Sequence, residues 1–217
     1  LREQVGGGVV AAALTFAHRE GLLVYPVAVT LPPRPQDRDR WFTRDELAAI
    51  LRESPPMLRR LILLGAGTGT RVSALIALRW VPSFDTGWID LERGVLHRRG
   101  ASERETTKRR GSVRLTRRLL SHCRRWQRMG GEWVINYASK DTARQAFNRA
   151  CARTGIEDAR LHDLKRTAVT IAFQNGMSRE DAQEYFSTSA AILDRAYRQY
   201  SPDYQSRAVE IMERRHR

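Results

Sequence analysis

Residues 162–167 read HDLKRT, and Tyr197 follows 35 positions after His162. The run is predicted to open a helix, on which positions three apart share a face, so His162 and Lys165 can meet the same ligand. A histidine can relieve a tyrosine of its proton, and cations can hold the charge that grows on a phosphate. With Arg71 far upstream, these groups have the chemistry to cut a phosphodiester without a metal.

The composition is that of a globular protein with an excess of positive charge. The 217 residues are 41% hydrophobic and 29% charged, which suits one good-sized domain or one domain with an appendage. Thirty-eight Lys and Arg against 24 Asp and Glu give a formal net charge of +14. This excess favours nucleic acid as the partner, against the alternative of a basic surface that only aids solubility.

Other classes of partner receive no support from the sequence. No apolar run reaches the roughly 18 to 20 residues of a membrane span, so we expect no membrane association and a cytoplasmic location. Cys123 and Cys151 form no metal-binding spacing and are predicted to be buried free thiols. The glycines at 65, 67 and 69 match neither a dinucleotide fingerprint nor a P-loop, so no cofactor and no metal are predicted.

Apolar periodicity and capping residues predict a mainly α fold with a small antiparallel β-sheet, an α+β class. The predicted helices cover 1–24, 43–53, 57–64, 71–78, 116–126, 142–153, 162–174, 178–185 and 190–197, with a tail helix from about 204. The predicted strands cover 88–91, 94–97 and 112–115, and the glycine-rich run 65–70 is predicted to break the third helix. A proline-rich linker predicts a first segment at 1–40 and a main domain at 41–217.

Four further segments accompany the run at 162–167. Residues 68–80 read TGTRVSALIALRW, and residues 105–115 read ETTKRRGSVRL at the tip of a predicted hairpin. Residues 182–189 read AQEYFSTS, and residues 197–203 read YRQYSPD. Each segment alone has a bland explanation as core, solvated surface or turn, so their order along the chain is what carries information.

In that order, the segments resemble the tyrosine recombinase (phage integrase) family over about residues 41–210. Residues 68–80 resemble its first arginine motif, and residues 105–115 resemble the hairpin that carries its lysine. Residues 161–168 resemble its H-x-x-R box, and residues 187–188 stand where the family has Gly-His, nine residues before the nucleophile. The ending at 197–203 resembles Y-x-H-x-x-P-D.

The resemblance implies a site-specific DNA recombinase that cleaves and rejoins double-stranded DNA. Tyr197 would attack a phosphate and form a 3′-phosphotyrosyl link, assisted by His162. Arg71 and Lys165 would hold the developing charge, and Lys108 would protonate the leaving 5′ oxygen. The family exchanges strands as a tetramer on paired sites, so self-association is expected, and the first 40 residues would be a remnant of its core-binding domain with the linker.

Three arginines are expected to assist the catalytic set. Arg109 and Arg110 would grip the DNA backbone from the hairpin. Arg166, four positions after His162, lies close enough to the same face to bind phosphate in place of Lys165.

The sequence departs from the family pattern at its catalytic positions. The family has arginine where Lys165 stands and histidine where Thr188 stands, so Thr188 would contribute one hydrogen bond at most. It commonly has glutamate where Ala74 stands, and Tyr200 is the fallback nucleophile. The alternative function is therefore a catalytically weakened or inactive integrase-derived protein that still binds DNA.

Overall fold

The computed structural model of the chain describes residues 2–31, 38–102 and 110–196, together with residues 209, 212 and 213 of the tail. Clustering of contacts divides the chain into a first unit, Leu1–Arg38, and a second unit, Asp39–Arg217. None of the described helices is long and apolar enough to cross a membrane.

The first unit is built on a single helix, α1, which spans Arg2–Arg19. It ends five residues before the predicted end at 24, because Gly21 takes a left-handed φ of 73°. The N–H of Leu22 donates to the Ala17 carbonyl at 2.8 Å, and the N–H of Gly21 donates to the His18 carbonyl at 3.1 Å. This pair of bonds is a Schellman motif, which ends the helix wherever a glycine allows the turn.

The second unit packs helices around a small sheet. The helices are α2 (Arg44–Glu53), α3 (Pro56–Thr68), α4 (Val72–Ile76), α5 (Arg117–Arg128), α6 (Lys140–Arg153), α7 (Asp163–Gln174), α8 (Arg179–Phe186) and α9 (Ala190–Ala196). The strands β1 (Trp88–Asp90), β2 (Val95–His97) and β3 (Val113–Arg114) pair antiparallel in the order β1-β2-β3. The predicted fold class is confirmed.

Side-chain caps begin three helices of the second unit, one of them the capping box that the run 43–46 predicts. Thr43 and Glu46 form the capping box of α2, with the Thr43 N–H donating to the Glu46 carboxylate at 2.8 Å. The side chains of Thr116 and Ser139 cap α5 and α6. These local bonds satisfy N–H groups that a helix leaves unpaired at its start.

The prediction that the glycine-rich run breaks the third helix was wrong. Helix α3 continues through Gly65 and Gly67 to Thr68, and only Gly69 leaves it, with a φ of 62°. A Cβ on Gly65 would lie 3.3 Å from the Cβ of Leu164, so the glycine lets α3 and α7 approach closely. Tertiary packing therefore outweighs the low helix propensity of glycine.

The beginning of the second unit is fixed to α7 by a buried hydrogen bond. The N–H of Phe42 donates to the hydroxyl of Thr167 at 2.8 Å, and that hydroxyl donates to the Asp163 carbonyl, also at 2.8 Å. Phe42 and Thr167 are fully buried. The ring of Phe42 meets that of Phe147 edge-on, with centroids 6.0 Å apart.

A second apolar cluster joins α7 to α8 and α9. It consists of Ala168, Val169, Ala182, Phe186 and Leu193. Both cysteines, Cys123 and Cys151, are free and buried in the main core, as predicted. Burial raises the pKa of Cys123 to about 12, so this thiol stays protonated.

We expect Thr167→Val to destabilise the protein by about 1 to 3 kcal/mol, because it keeps the side-chain shape but leaves the buried Phe42 N–H without an acceptor. Thr167→Ser keeps the hydroxyl and loses one methyl group, worth about 0.8 kcal/mol. Urea unfolding of both variants measures the difference. A valine variant as stable as the serine variant would show that this hydrogen bond does not hold the two segments together.

Candidate active site

A polar cavity of about 100 Å³ lies where the end of α3, the start of α4, the end of β2 and the α7–α8 pair meet. Four cationic side chains line it: Arg71, Arg98, Arg110 and Lys165. None of the described lining residues is acidic. A cavity lined in this way favours an anion that can accept several hydrogen bonds.

Arg71 enters the cavity from the junction between α3 and α4. Gly69 reverses the chain in the left-handed conformation, and Arg71 then stands as the N-cap of the short helix α4. Ala74 lines the same cavity, so no carboxylate at position 74 pairs with the guanidinium. Within the described residues no side-chain hydrogen bond engages Arg71, so its donors are free for a ligand.

Lys165 and Thr188, the two positions that depart most from the family pattern, contact each other. The Lys165 ammonium donates to the Thr188 hydroxyl at 3.0 Å and to the Phe186 carbonyl at 3.4 Å. The Thr188 hydroxyl in turn donates to the Phe186 carbonyl at 3.0 Å. Only 5% of Lys165 and 7% of Thr188 is exposed, so these hydrogen bonds are buried.

The environment of Lys165 disfavours the charged form of its side chain. Burial, with repulsion from Arg71 and Arg98, lowers the pKa of Lys165 to about 7. At neutral pH the group is therefore divided between its charged and neutral forms. A phosphate in the cavity would supply the missing opposite charge and favour the ammonium.

His162 occupies the N-cap position of α7, where its side chain is exposed and makes no capping hydrogen bond. Its carbonyl accepts from the Lys165 N–H at 3.1 Å. Removal of part of the ring from water lowers the pKa of His162, and the charges of Lys165, Arg71 and Arg166 lower it further, whereas Asp163 raises it. The imidazole is therefore mainly neutral at pH 7. A neutral imidazole is the form that can accept a proton.

Arg166, the residue expected to bind phosphate in place of Lys165, lies near an acidic side chain. Its guanidinium lies 3.8 Å from the carboxylate of Asp39, and it is not among the residues that line the cavity. The structure therefore brings Lys165, rather than Arg166, next to Arg71. Of the predicted DNA-binding arginines of the hairpin, Arg110 lines the cavity, and Arg109 lies outside the described residues.

The predicted nucleophile and general acid also lie outside the described residues. Tyr197 follows directly after α9, and Lys108 belongs to the run 103–109 between β2 and β3. Tyr200, the fallback nucleophile, is outside as well. Tyr185 is described, and its hydroxyl lies 3.2 Å from the Arg114 carbonyl, which suits a residue that joins α8 to the sheet.

Arg98 is a cavity residue that the sequence analysis missed. It is 5% exposed and follows β2, two positions after the fully buried Leu96. Side chains two apart along a strand face the same side. The available signal was therefore an arginine at a position where the alternation of the strand predicts a buried side chain. It was missed because Arg98 and Arg99 together resemble a basic surface patch.

Comparison with known proteins identifies the family to which the chain belongs. Residues 40–200 match the Phage integrase family. The integrase of Salmonella phage P22 is 25% identical over 209 residues, which cover 90% of this chain and 53% of that protein. The chain thus spans about half the length of this curated relative.

Solved structures share the fold at lower sequence identity. The integrase of transposon Tn1549 in complex with transposon right end DNA aligns with a TM-score of 0.70 at 13% identity, covering 95% of this chain and 78% of that one. A lambda integrase dimer bound to a COC′ core site aligns with a TM-score of 0.63 at 19% identity, covering 94% and 59%.

The match to the family extends over most of the chain and includes every element that lines the cavity. The ordered motifs, the fold and the matched residues agree. The chain belongs to the phage integrase family of tyrosine recombinases.

Proposed function

We propose that this protein is a tyrosine-type DNA strand-transferase that cleaves and rejoins double-stranded DNA through a 3′-phosphotyrosyl intermediate. The observation that carries the proposal is the cavity in which Arg71 and Lys165 meet, with no acidic residue among its described lining. Cations brought together in this way destabilise one another unless an anion joins them. A DNA phosphate has the charge and the acceptors to do so.

The proposal gives each residue of the site a role. Arg71 and Lys165 bind the phosphate that is attacked and hold the charge that grows in the transition state. The neutral imidazole of His162 takes the proton of Tyr197, whose oxygen forms the bond to phosphorus. Lys108 gives a proton to the departing 5′ oxygen. The phosphotyrosyl bond conserves the energy of the broken bond, so rejoining needs no nucleotide.

The Lys165–Thr188 pair distinguishes this site from the family pattern. The proton of the Thr188 hydroxyl points at the Phe186 carbonyl, so the hydroxyl must rotate before it can donate to a phosphate. A lysine provides a point charge where an arginine would provide two parallel donors. The two departures from the family pattern therefore belong together, because the shorter threonine accepts the bond that the lysine donates.

The partners follow from the proposed chemistry. Duplex DNA would bind across the basic surface around the cavity, and strand exchange would need a tetramer on two sites. The solved relatives include one described as a dimer bound to a core site and one in complex with transposon DNA. These assemblies support the proposal for this chain.

A DNA-binding protein with decayed catalysis is the second candidate, and the buried Lys165–Thr188 pair favours it. Losing an arginine fork and a histidine from such a site costs about 2 to 4 kcal/mol each in transition-state stabilisation. That amounts to roughly thirtyfold to a thousandfold in rate for each loss. The covalent reaction itself decides between the two candidates.

On a nicked suicide DNA substrate, we expect the wild-type protein to form a covalent complex and Tyr197→Phe to form none. Removal of the phenolic oxygen takes away the nucleophile and leaves the basic surface in place. A denaturing gel measures the linkage, and a mobility-shift assay measures binding in parallel. Tyr200→Phe is the matched control and should still link.

If wild-type protein, Lys165→Arg and the double variant Lys165→Arg/Thr188→His all bind the DNA without linking to it, the strand-transferase proposal is wrong. The protein is then a DNA-binding protein with decayed catalysis.

The pH dependence of linkage should follow His162 and Lys165. His162 must be neutral and Lys165 charged, so at subsaturating DNA the rate should fall below the lowered pKa of His162 and above about pH 7. Lys165→Arg stays charged at every accessible pH. We therefore expect this variant to lose the alkaline limb. Its gain over wild type should be about thirtyfold larger at pH 8.5 than at pH 6, because a lysine with a pKa of about 7 is almost wholly neutral at pH 8.5.

The assay is the initial linkage rate across pH 5.5 to 9 at a fixed low DNA concentration. Arg166→Ala serves as the comparison, because Arg166 does not line the cavity and should leave the alkaline limb in place. An alkaline limb that persists in Lys165→Arg would show that another group causes it.

DNA binding should depend strongly on salt, because the net charge of +14 acts mainly on backbone phosphates. If about six phosphates are neutralised, log K falls with log salt at a slope near roughly −5. Fluorescence anisotropy on a short duplex between 50 and 300 mM salt provides the slope. Affinity that barely changes over this range would contradict a backbone-dominated interface.

A further inference from the structure

We propose that Arg98 is a positioning residue of the strand-transfer reaction, which holds the phosphate-binding segments together and charges the cavity without touching the DNA. The inference deepens the proposed function and rests on it. It names a group that no motif of the family resemblance contains. The argument depends on what each donor of the guanidinium contacts.

All five N–H donors of Arg98 have acceptors, and every acceptor is neutral. Nε donates to the Thr70 hydroxyl at 2.9 Å, and one Nη donates to the carbonyls of Thr68 at 2.8 Å and Tyr185 at 3.0 Å. The other Nη donates to the Gly111 carbonyl at 2.9 Å and the Ser187 hydroxyl at 3.2 Å. A guanidinium has five such donors, so none is left to bind a phosphate directly.

These acceptors belong to the segments that carry the proposed catalytic residues. Thr68 and Thr70 precede Arg71, and Gly111 lies in the short stretch between the run that contains Lys108 and β3. Ser187 precedes Thr188, which contacts Lys165. One side chain therefore ties together three separate parts of the site. Misplacement of a catalytic group by about 1 Å can cost a hundredfold in rate.

Arg98 also contributes a positive charge to the cavity. The neutral acceptors satisfy its donors but do not cancel the charge, and burial lowers the pKa of Arg98 to about 10, which keeps it cationic at pH 7. The charged groups that line the cavity with Lys165 are Arg71, Arg98 and Arg110. His162, at the N-cap of α7, interacts electrostatically with Lys165, and Asp163 and Arg166 are its neighbours along the helix. Among these, Arg71 and Arg98 are the cations that depress its protonation.

The consequence is a cavity that is ready for an anion before DNA arrives. Lys165 is only partly charged while Arg98, which has no counterion among the described residues, lines the same cavity. A phosphate would restore the charge of the ammonium. Removal of Arg98 should therefore have two separable effects. Lys165 should hold its proton to higher pH, and the folded protein should link more slowly to DNA.

The chain offers a direct measurement of the first effect, because it contains only three lysines, at 108, 140 and 165. Lysine-selective ¹³C labelling at Cε gives a spectrum of three signals, and Lys165→Arg assigns the third. We expect a titration midpoint near pH 7 for Lys165 in the wild-type protein. In Arg98→Met the midpoint should move to higher pH, because a repelling cation is gone.

Arg60→Met is the matched control for a loss of stability. Arg60 is also a buried arginine, 3% exposed, and donates to the Val134 carbonyl at 3.0 Å on another side of α3. Both variants should lower the melting temperature. Only Arg98→Met should shift the Lys165 midpoint and lower the linkage rate, by about tenfold to a hundredfold per folded molecule.

Two milder variants keep the test valid if Arg98→Met does not fold. Arg98→Lys keeps a basic side chain but has three donors in place of five, so linkage should slow. Thr70→Val removes one acceptor of the guanidinium and should slow linkage about tenfold, whereas Thr70→Ser keeps the hydroxyl and should restore the rate.

The proposal is overturned if the Lys165 midpoint of Arg98→Met equals that of Arg60→Met, or if the two variants link at the same rate per folded molecule. Where Arg98→Met does not fold, equal linkage rates for Thr70→Val and Thr70→Ser overturn it. If wild-type protein does not link to DNA at all, the proposed function fails, and the NMR midpoints still show whether Arg98 controls Lys165.

Discussion

The close approach of α3 and α7 at Gly65 and Leu164 is the contact on which the site depends. Gly65 allows the two helices to meet because a side chain there would press against Leu164. Leu164 is followed directly by Lys165, and α3 leads through Gly69 to Arg71. Two cations that are 94 positions apart in the sequence therefore reach one cavity. The packing of an apolar pair thus fixes the distance between charged groups.

The fold stabilises an arrangement that electrostatics alone opposes. Like charges in a partly buried site repel one another, and burial disfavours their charged forms. The protein meets this cost with hydrogen bonds from Arg98 and Lys165 to neutral carbonyls and hydroxyls, and with a lowered pKa at Lys165. No acidic residue among the described lining relieves the repulsion. A site of this kind binds its anion more tightly because the unbound state is destabilised.

The features predictable from the sequence were those with local causes. The capping box at Thr43, the alternation of the short strands and the order of the motifs each depend on a few neighbouring residues. The continuation of α3 through its glycines was not predictable, because it depends on Leu164, a distant partner. Arg98 was missed for a similar reason, since its acceptors come from three separate stretches of chain.

The contact between Lys165 and Thr188 also required the structure. In the sequence the two positions are separate departures from a family pattern, and each is expected to weaken catalysis. In the fold the lysine donates to the threonine at 3.0 Å, so one residue accommodates the other. Formation of the covalent protein–DNA product shows directly that a site with this pair can catalyse the reaction.

The central claim is that Tyr197 forms a covalent bond to DNA under the control of this cationic cavity. The most direct test is mass spectrometry of protein trapped on a suicide DNA substrate, after digestion by protease and nuclease. We predict a peptide that carries a nucleotide remnant on Tyr197 through its phosphate. A remnant on Tyr200 or Tyr185, or the absence of any modified peptide from protein that has bound the DNA, would contradict the account.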